Sequence, residues 1–436
     1  MIGGIQNIGR IQELRSRIFF TFGMLAVYRA GCAVATPGIN RDVIRTFFDQ
    51  SRDTVFGLMN IFSGGAMEQL SIFALGIMPY ISASIIFQLL TVVIPALEEM
   101  KKEGDSGQKK INQWTRYATV GLAFFQSFLI AQALQGGQFG SGAVLDPGLA
   151  FTLTTMVTLT TGTIFLMWLG EQITERGIGN GISLIIFAGI IVSIPSGINK
   201  VWMLIQTDQL SILEVILFLA FALAIVAGVV TVERGQRRIP IQSAKRVVGR
   251  RVMQGGMTYF PLRVNTAGVI PPIFASSLLM FPLTIAQFTE SDRVRTFIQD
   301  YLDPGALSYN LVYLGLIVFF AFFYTAIMID PQDVAENIRR MGGNIPGIRP
   351  GRSTADYIDK VLSRLTLVGA IYVGLVCILP VIISSQVNQP FYFGGTALLI
   401  AVGVGLDTIA QIESHLVSRQ YEGFVKGGRI RGRLGR

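Results

Sequence analysis

Six stretches of this chain carry no charged residue over lengths that can cross a bilayer: 72–96, 151–170, 215–232, 267–289, 311–329 and 365–387. A helix needs about 20 apolar residues to span the hydrocarbon, and a charge at its centre costs at least ~2.5 kcal/mol. Four further candidates lie at 18–35, 117–134, 181–198 and 394–412, the first containing Arg29 and the last Asp407. Only 14% of the 436 residues are charged, against about a quarter in soluble domains. A water-soluble globule is excluded. Runs of this length satisfy their backbone in lipid as helices, so the expected fold is an all-α polytopic membrane protein with ten transmembrane helices.

Ten spans put both termini on one side, and the cations say which. Of 36 Lys and Arg residues, 29 fall in the termini and the loops after spans two, four, six and eight, against 6 in the other five loops. Positive charge accumulates on the cytoplasmic side, so both termini are expected there. The net charge of +9 expresses this topology and is weak support for a nucleic-acid partner. The first 17 residues are too polar for the apolar core of a cleavable signal and read as an amphipathic lead-in. An external loop divides the spans five and five. Five crossings end opposite their start, so halves of one fold must be inverted relative to each other, with functional sites at their interface. The expected division is 1–197 for the N-terminal half, 198–211 for the external hinge loop and 212–436 for the C-terminal half.

Reactive constellations are missing from the sequence. It contains no GxxxxGK[ST] loop, GxSxG elbow or HExxH motif. His415 is the single histidine, which excludes a site built on two imidazoles. Cys32 and Cys377 lie far apart in apolar runs and read as packing residues. Gly177 to Gly181 reads as a tight turn between spans, not a dinucleotide loop. No catalytic residue, cofactor or metal is therefore expected. Asp407 is the one carboxylate well inside a span, and it defines the competing reading, an ion-coupled small-solute transporter. Arg29 has a stem long enough to carry its guanidinium to an interface or a cavity.

Three loops are more informative. The apolar segment 55–67, broken by Gly64 and Gly65, is too short to cross. It is either an interfacial helix or a movable stopper in an outward-facing funnel. The cytoplasmic loop 233–264 contains two β-like runs, 238–242 and 257–264, flanking Lys245, Arg246, Arg250 and Arg251, which suggests a projecting hairpin. The cytoplasmic loop 331–364 gathers six cations around Gly-Pro turns at 346–351. Such platforms suit an acidic protein face or ribosomal RNA, or express the topological charge bias alone. The tail from Lys426 is a further basic cytoplasmic end.

Several strings resemble one family. Asn60 to Ala66, followed by Ser71 to Ile86, is similar to the SecY family, the channel subunits of the bacterial Sec protein translocon. So are Glu171 to Gly181, Gly268 to Ser277, Pro346 to Gly351 and Asp356 to Lys360. The resemblance runs from about residue 10 to about 425. It implies an hourglass pore between two inverted five-helix halves, with a waist of isoleucines at Ile77, Ile81, Ile182, Ile186, Ile273 and Ile400. It matches the region of about 55–69 to a plug, carried by Asn60, Ile61, Phe62, Ser63, Gly64 and Gly65. It matches spans two and seven to a lateral gate, with Ser82 and Gln88 facing Asn265 and Phe281. Arg250, Arg251 and Arg349 match surfaces that dock a motor or the ribosome. The implied activity is conduction of unfolded secretory polypeptides across the bacterial cytoplasmic membrane and sideways release of transmembrane segments. The implied partners are SecE and SecG, the SecA ATPase, the ribosome, signal-bearing polypeptides and membrane lipids, with SecDF and YidC as further associates.

Overall fold

The computed structural model describes residues 12–50, 60, 63–137, 139–140, 142–207, 211–243, 246–248, 251–253, 256–288, 301, 306–386 and 395–427. The chain divides into two compact units: Met1–Ser196 together with Val404–Arg436, and Gly197–Gly403. Each of the ten sequence-expected spans overlaps a helix. Seven of those described are long and apolar enough to cross a membrane, or eight if one sharply bent pair counts as a single span.

The first unit opens with α1 (Gln12–Cys32), whose Glu13, Arg15, Arg17 and Arg29 keep it out of those seven. After a turn comes α2 (Arg41–Gln50), amphipathic, with Ile44 and Phe48 buried one helical turn apart. The uncharged run at 72–96 does not form one helix. Residues 63–77 are tight turns with mostly buried backbone, and Leu70 (φ 41°), Gly64 (φ 67°) and Gly76 (φ 58°) are left-handed. Irregular backbone at membrane depth persists only where protein covers it. Here backbone bonds tie it to the end of α1: Thr36 N–H donates to the Leu70 carbonyl and Ile72 N–H to that of Val34, each at 2.9 Å.

Helix α3 (Met78–Val93) then starts with Pro79 in its first turn, where the missing N–H costs nothing. It stops because Ile94 precedes a proline and is extended. The chain bends 98° into α4 (Pro95–Lys102), whose Glu98 and Lys102 pair at 2.7 Å. Next come α5 (Asp105–Gln135) and α6 (Leu149–Arg176). The buried faces of these two are rich in small residues, among them Thr119, Ala123 and Ser127 on α5 and Thr160, Gly162 and Thr163 on α6. Small side chains let apolar helices approach in lipid, where burial from water cannot drive them together. Gly162 sits against the Ile72 carbonyl, where a Cβ would collide. Helix α7 (Gly181–Gln206) begins in this unit, its first amides accepted by the Asn180 side chain.

The second unit contains α8 (Ile212–Glu233), capped at Ser211 by a reciprocal box with Glu214. Most side chains along it are exposed. Strand β1 (Gln236–Ser243) pairs antiparallel with β4 (Met257–Arg263), as the two β-like runs led us to expect; β2 (Arg246–Val248) and β3 (Arg251–Met253) pair between them. Then follow α9 (Ile270–Phe288), α10 (Leu307–Met328), α11 (Pro331–Arg340), β5 (Gly343–Asn344), α12 (Arg352–Gln386) and α13 (Gly395–Gly427), which starts here and ends in the first unit.

Candidate functional site

The short apolar segment is built from the inside out by its own polar atoms. Of its proposed plug residues, Asn60, Ser63, Gly64 and Gly65 are described, while Ile61 and Phe62 lie outside the described residues. Asn60 acts as a clasp: its Oδ1 accepts the Glu68 amide at 3.0 Å and its Nδ2 donates to the Glu68 carboxylate at 3.2 Å. Arg45 on α2 reaches the same carboxylate at 3.6 Å. The Ser63 hydroxyl donates to the Asn60 carbonyl and accepts the Met67 amide. Ala66 and Met67 are buried. Residues 63–67 of the segment are turns, while 55–59, 61 and 62 lie outside the described residues. Two α1 side chains reach this segment. The Tyr28 hydroxyl donates to the Ser63 carbonyl at 3.0 Å, and Arg29 Nη1 donates to the Gly64 carbonyl at 2.8 Å. The long stem of Arg29 thus delivers its charge to a backbone acceptor.

The six isoleucines occupy comparable places in the helices that carry them. Ile77 and Ile81 are buried one turn apart at the start of α3, the Ile81 amide donating to the Ile77 carbonyl. Ile182 and Ile186 repeat that spacing in the first turns of α7, half-buried and buried. In the second unit Ile273 is buried in the first turn of α9 and Ile400 in the second turn of α13.

Ser82 and Gln88 are half-buried on α3. Asn265 is 5% exposed, and its amide donates to the Glu233 carboxylate at 2.7 Å and to the Gly268 carbonyl at 3.0 Å. Its donors are thus engaged within its own unit, tying the end of α8 to the entry of α9. Phe281 lies on α9, and its side chain is outside the described residues. Asp407 is exposed on α13, and His415 is exposed further along the same helix. Among the described residues no three His, Cys, Asp or Glu side chains gather as a metal site.

The two long basic loops form one body. Ile239 of β1, Leu262 of β4, Ile338 of α11, Ile345, and Ile358 and Leu362 of α12 share a buried apolar cluster. Strand β5 pairs with the end of β1, Gln242 opposite Asn344. On this base Arg349 is exposed, and its carbonyl accepts the Thr354 hydroxyl at 3.0 Å. Arg340 beside Glu336 on α11, at 2.8 Å, holds that carboxyl below the usual range. Arg251 lies on β3, its side chain outside the described residues, as is all of Arg250.

The family model described as SecY matches residues 71–409. The chain belongs to the SecY family. Protein translocase subunit SecY of Escherichia coli K12 is 50% identical over 427 residues, covering 97% of this chain and 96% of its own length. The SecY subunits of Aquifex aeolicus and Streptomyces scabiei are 45% and 49% identical, covering 97% and 98% of this chain and 99% and 100% of their own lengths. The fold is that of a solved protein-conducting channel, with TM-score 0.69 at 19% identity and 93% of each chain covered. A canine Sec61 from a ribosome–channel complex is similar, with TM-score 0.65 at 18% identity and the same coverage.

Residue patterns missed Tyr28, Glu233 and Gln411. The Gln411 side-chain Oε1 accepts the Gly179 amide at 2.8 Å across 232 positions of sequence. Each acts through a long-range bond to backbone or to a helix end, and a helical tyrosine or a terminal glutamate carries no local mark of that. Arg29 alone was signalled, as a charge inside a span.

Proposed function

We propose that this chain is the protein-conducting channel of a bacterial cytoplasmic-membrane translocase, with both termini cytoplasmic and ten spans in two inverted halves, 1–197 and 212–436, joined by the loop 198–211. The observation that carries the reading is identity of 45% to 50% with protein translocase subunits along almost their whole length. The transporter alternative rests on Asp407 alone, and these relatives favour the channel over it.

In this reading Ile77, Ile81, Ile182, Ile186, Ile273 and Ile400 form the waist. Branched aliphatic side chains expel water from a narrow constriction, and a dry constriction blocks ions without a binding site. Dispersion contacts have no directional demand, so the same ring grips any unfolded chain loosely and yields to it. The segment 60–65 stops the outer funnel; a plug that keeps a membrane seal is described for a SecY protein of the same fold. Ser82, Gln88, Asn265 and Phe281 border the lateral gate. A segment sampling lipid there gains ~0.3 to 0.6 kcal/mol for each central Leu or Ile and loses ~2.5 to 3.5 kcal/mol for each Asp, Lys or Arg, so hydrophobicity sorts membrane segments from secreted ones. With no nucleotide motif in the sequence, directed transport draws on partners. SecE and SecG complete the channel, and the SecA ATPase or the ribosome docks on Arg250, Arg251 and Arg349.

The test is reconstitution of the chain with SecE, SecA, ATP and a secretory precursor in vesicles. Precursor protected from protease inside the vesicles is expected. Proton- or sodium-driven solute uptake, abolished by Asp407→Asn, would overturn the reading in favour of the transporter.

A further inference from the structure

The first helix holds the buried turn shut by two consecutive carbonyls. Ser63 and Gly64 point neighbouring C=O groups at neighbouring residues of α1, and Tyr28 and Arg29 each donate to one, at 3.0 and 2.8 Å. Tyr28 is 2% exposed, and its ring stacks on Phe73, centroids 6.1 Å apart and 22° between planes. The hydroxyl is thereby aimed with little freedom. A buried carbonyl that loses its partner keeps the desolvation penalty, so each bond resists release by more than its net worth in water. A guanidinium within a span is likewise expensive unless a carbonyl receives it.

Beside the Tyr28 hydroxyl, the turn rests on α7. A Cβ on Gly64 would lie 2.7 Å from the Tyr28 hydroxyl and 2.8 Å from Gly189 Cα, and one on Gly189 would lie 3.1 Å from Gly64 Cα. Gly64 is left-handed as well, at φ 67°. Two glycines face each other because no side chain fits between the backbones. The turn is therefore held by two donors on α1 and seated on a bare patch of α7, all within the first unit.

We propose that Tyr28 and Arg29, seated against Gly189, form a latch that holds the Ser63–Gly64 turn in its closed position, so that opening requires both bonds to break together. The inference names the positioning residues of the stopper and rests on the stopper reading only for its effect on conductance. The aromatic ring of Tyr28 serves packing; its hydroxyl and the Arg29 guanidinium serve the latch.

The test uses the full chain assembled with its partner subunits in lipid and two readouts. Amide hydrogen exchange over residues 63–71 reports the turn itself, and ion leak in planar bilayers reports the seal. Tyr28→Phe keeps the ring and removes the donor; it is expected to speed exchange in that segment by about tenfold while α5 and α6 stay protected. Arg29→Leu is expected to act alike, and Arg29→Lys, which retains a donor, to restore protection. Gly189→Val leaves both donors in place but fills the seat, and is expected to speed exchange as well. Faster exchange with raised leak supports the latch and the stopper. Faster exchange with unchanged leak supports the latch and removes the stopper reading. Unchanged exchange in Tyr28→Phe and Arg29→Leu overturns the latch, whatever the leak.

Discussion

At Arg349 the charge can be changed without changing what holds it. The residue lies in a turn bracketed by Gly347 (φ 81°) and Gly351 (φ 106°), and its backbone carbonyl, not its side chain, accepts the Thr354 hydroxyl. Reversing an exposed charge at a docking face alters encounter and register with an acidic partner while leaving the fold intact. Arg349→Glu is expected to lower motor-driven export by about tenfold, read as protease-protected precursor per unit time, with subunit assembly unchanged. Normal export by that variant would refute the docking role. At this scale the sequence was readable where a residue is unusual for its surroundings, as Arg29 is in its span. It was silent where a common residue acts through one atom, as with the Tyr28 hydroxyl and the Asn265 amide. Nothing adjacent to Asn265 reveals that Glu233 would receive its donor across 32 positions.

Helices and strands followed the pattern of apolar residues wherever periodicity and length decide, and failed it where glycine and proline intervene. The runs flanking the basic hairpin paired as β1 and β4, Ile239 opposite Phe260. In the run at 72–96 the helix starts only at Met78 and breaks at Ile94, because an absence of charge does not reveal what left-handed Gly76 and the prolines do to the backbone. Both basic loops were recognised separately, yet their union through a shared core was invisible: Ile239 and Ile358 are apolar residues more than a hundred positions apart. That union makes the platform one element. Ile358 is fully buried at its centre, and truncating a core isoleucine costs ~2–5 kcal/mol. Ile358→Ala is expected to lower the denaturation midpoint of the detergent-solubilised protein and to weaken partner docking with it. A variant with unchanged unfolding would show that the two loops do not depend on each other.

For the whole molecule, function depends on what the chain leaves out. A conduit for arbitrary polypeptides cannot carry a specific binding site in its throat, and it must still seal against ions. Isoleucine at all six proposed waist positions meets both demands, and the proposal for Ile77, Ile81, Ile182 and Ile273 rests on the motif strings around them. Ile400 lies on a span matched by a shorter string, and nothing in its own helix marks it as special.

The most direct measurement is therefore single-channel and macroscopic conductance of the assembled channel in planar bilayers, with Ile81→Gly and Ile186→Gly combined. Removing two side chains that exclude water is expected to raise ion leak several-fold and to relax selectivity among signal sequences, and the effect should add to that of Tyr28→Phe. Conductance indistinguishable from the parent protein, in channels shown to export precursor, would contradict an apolar waist at these residues.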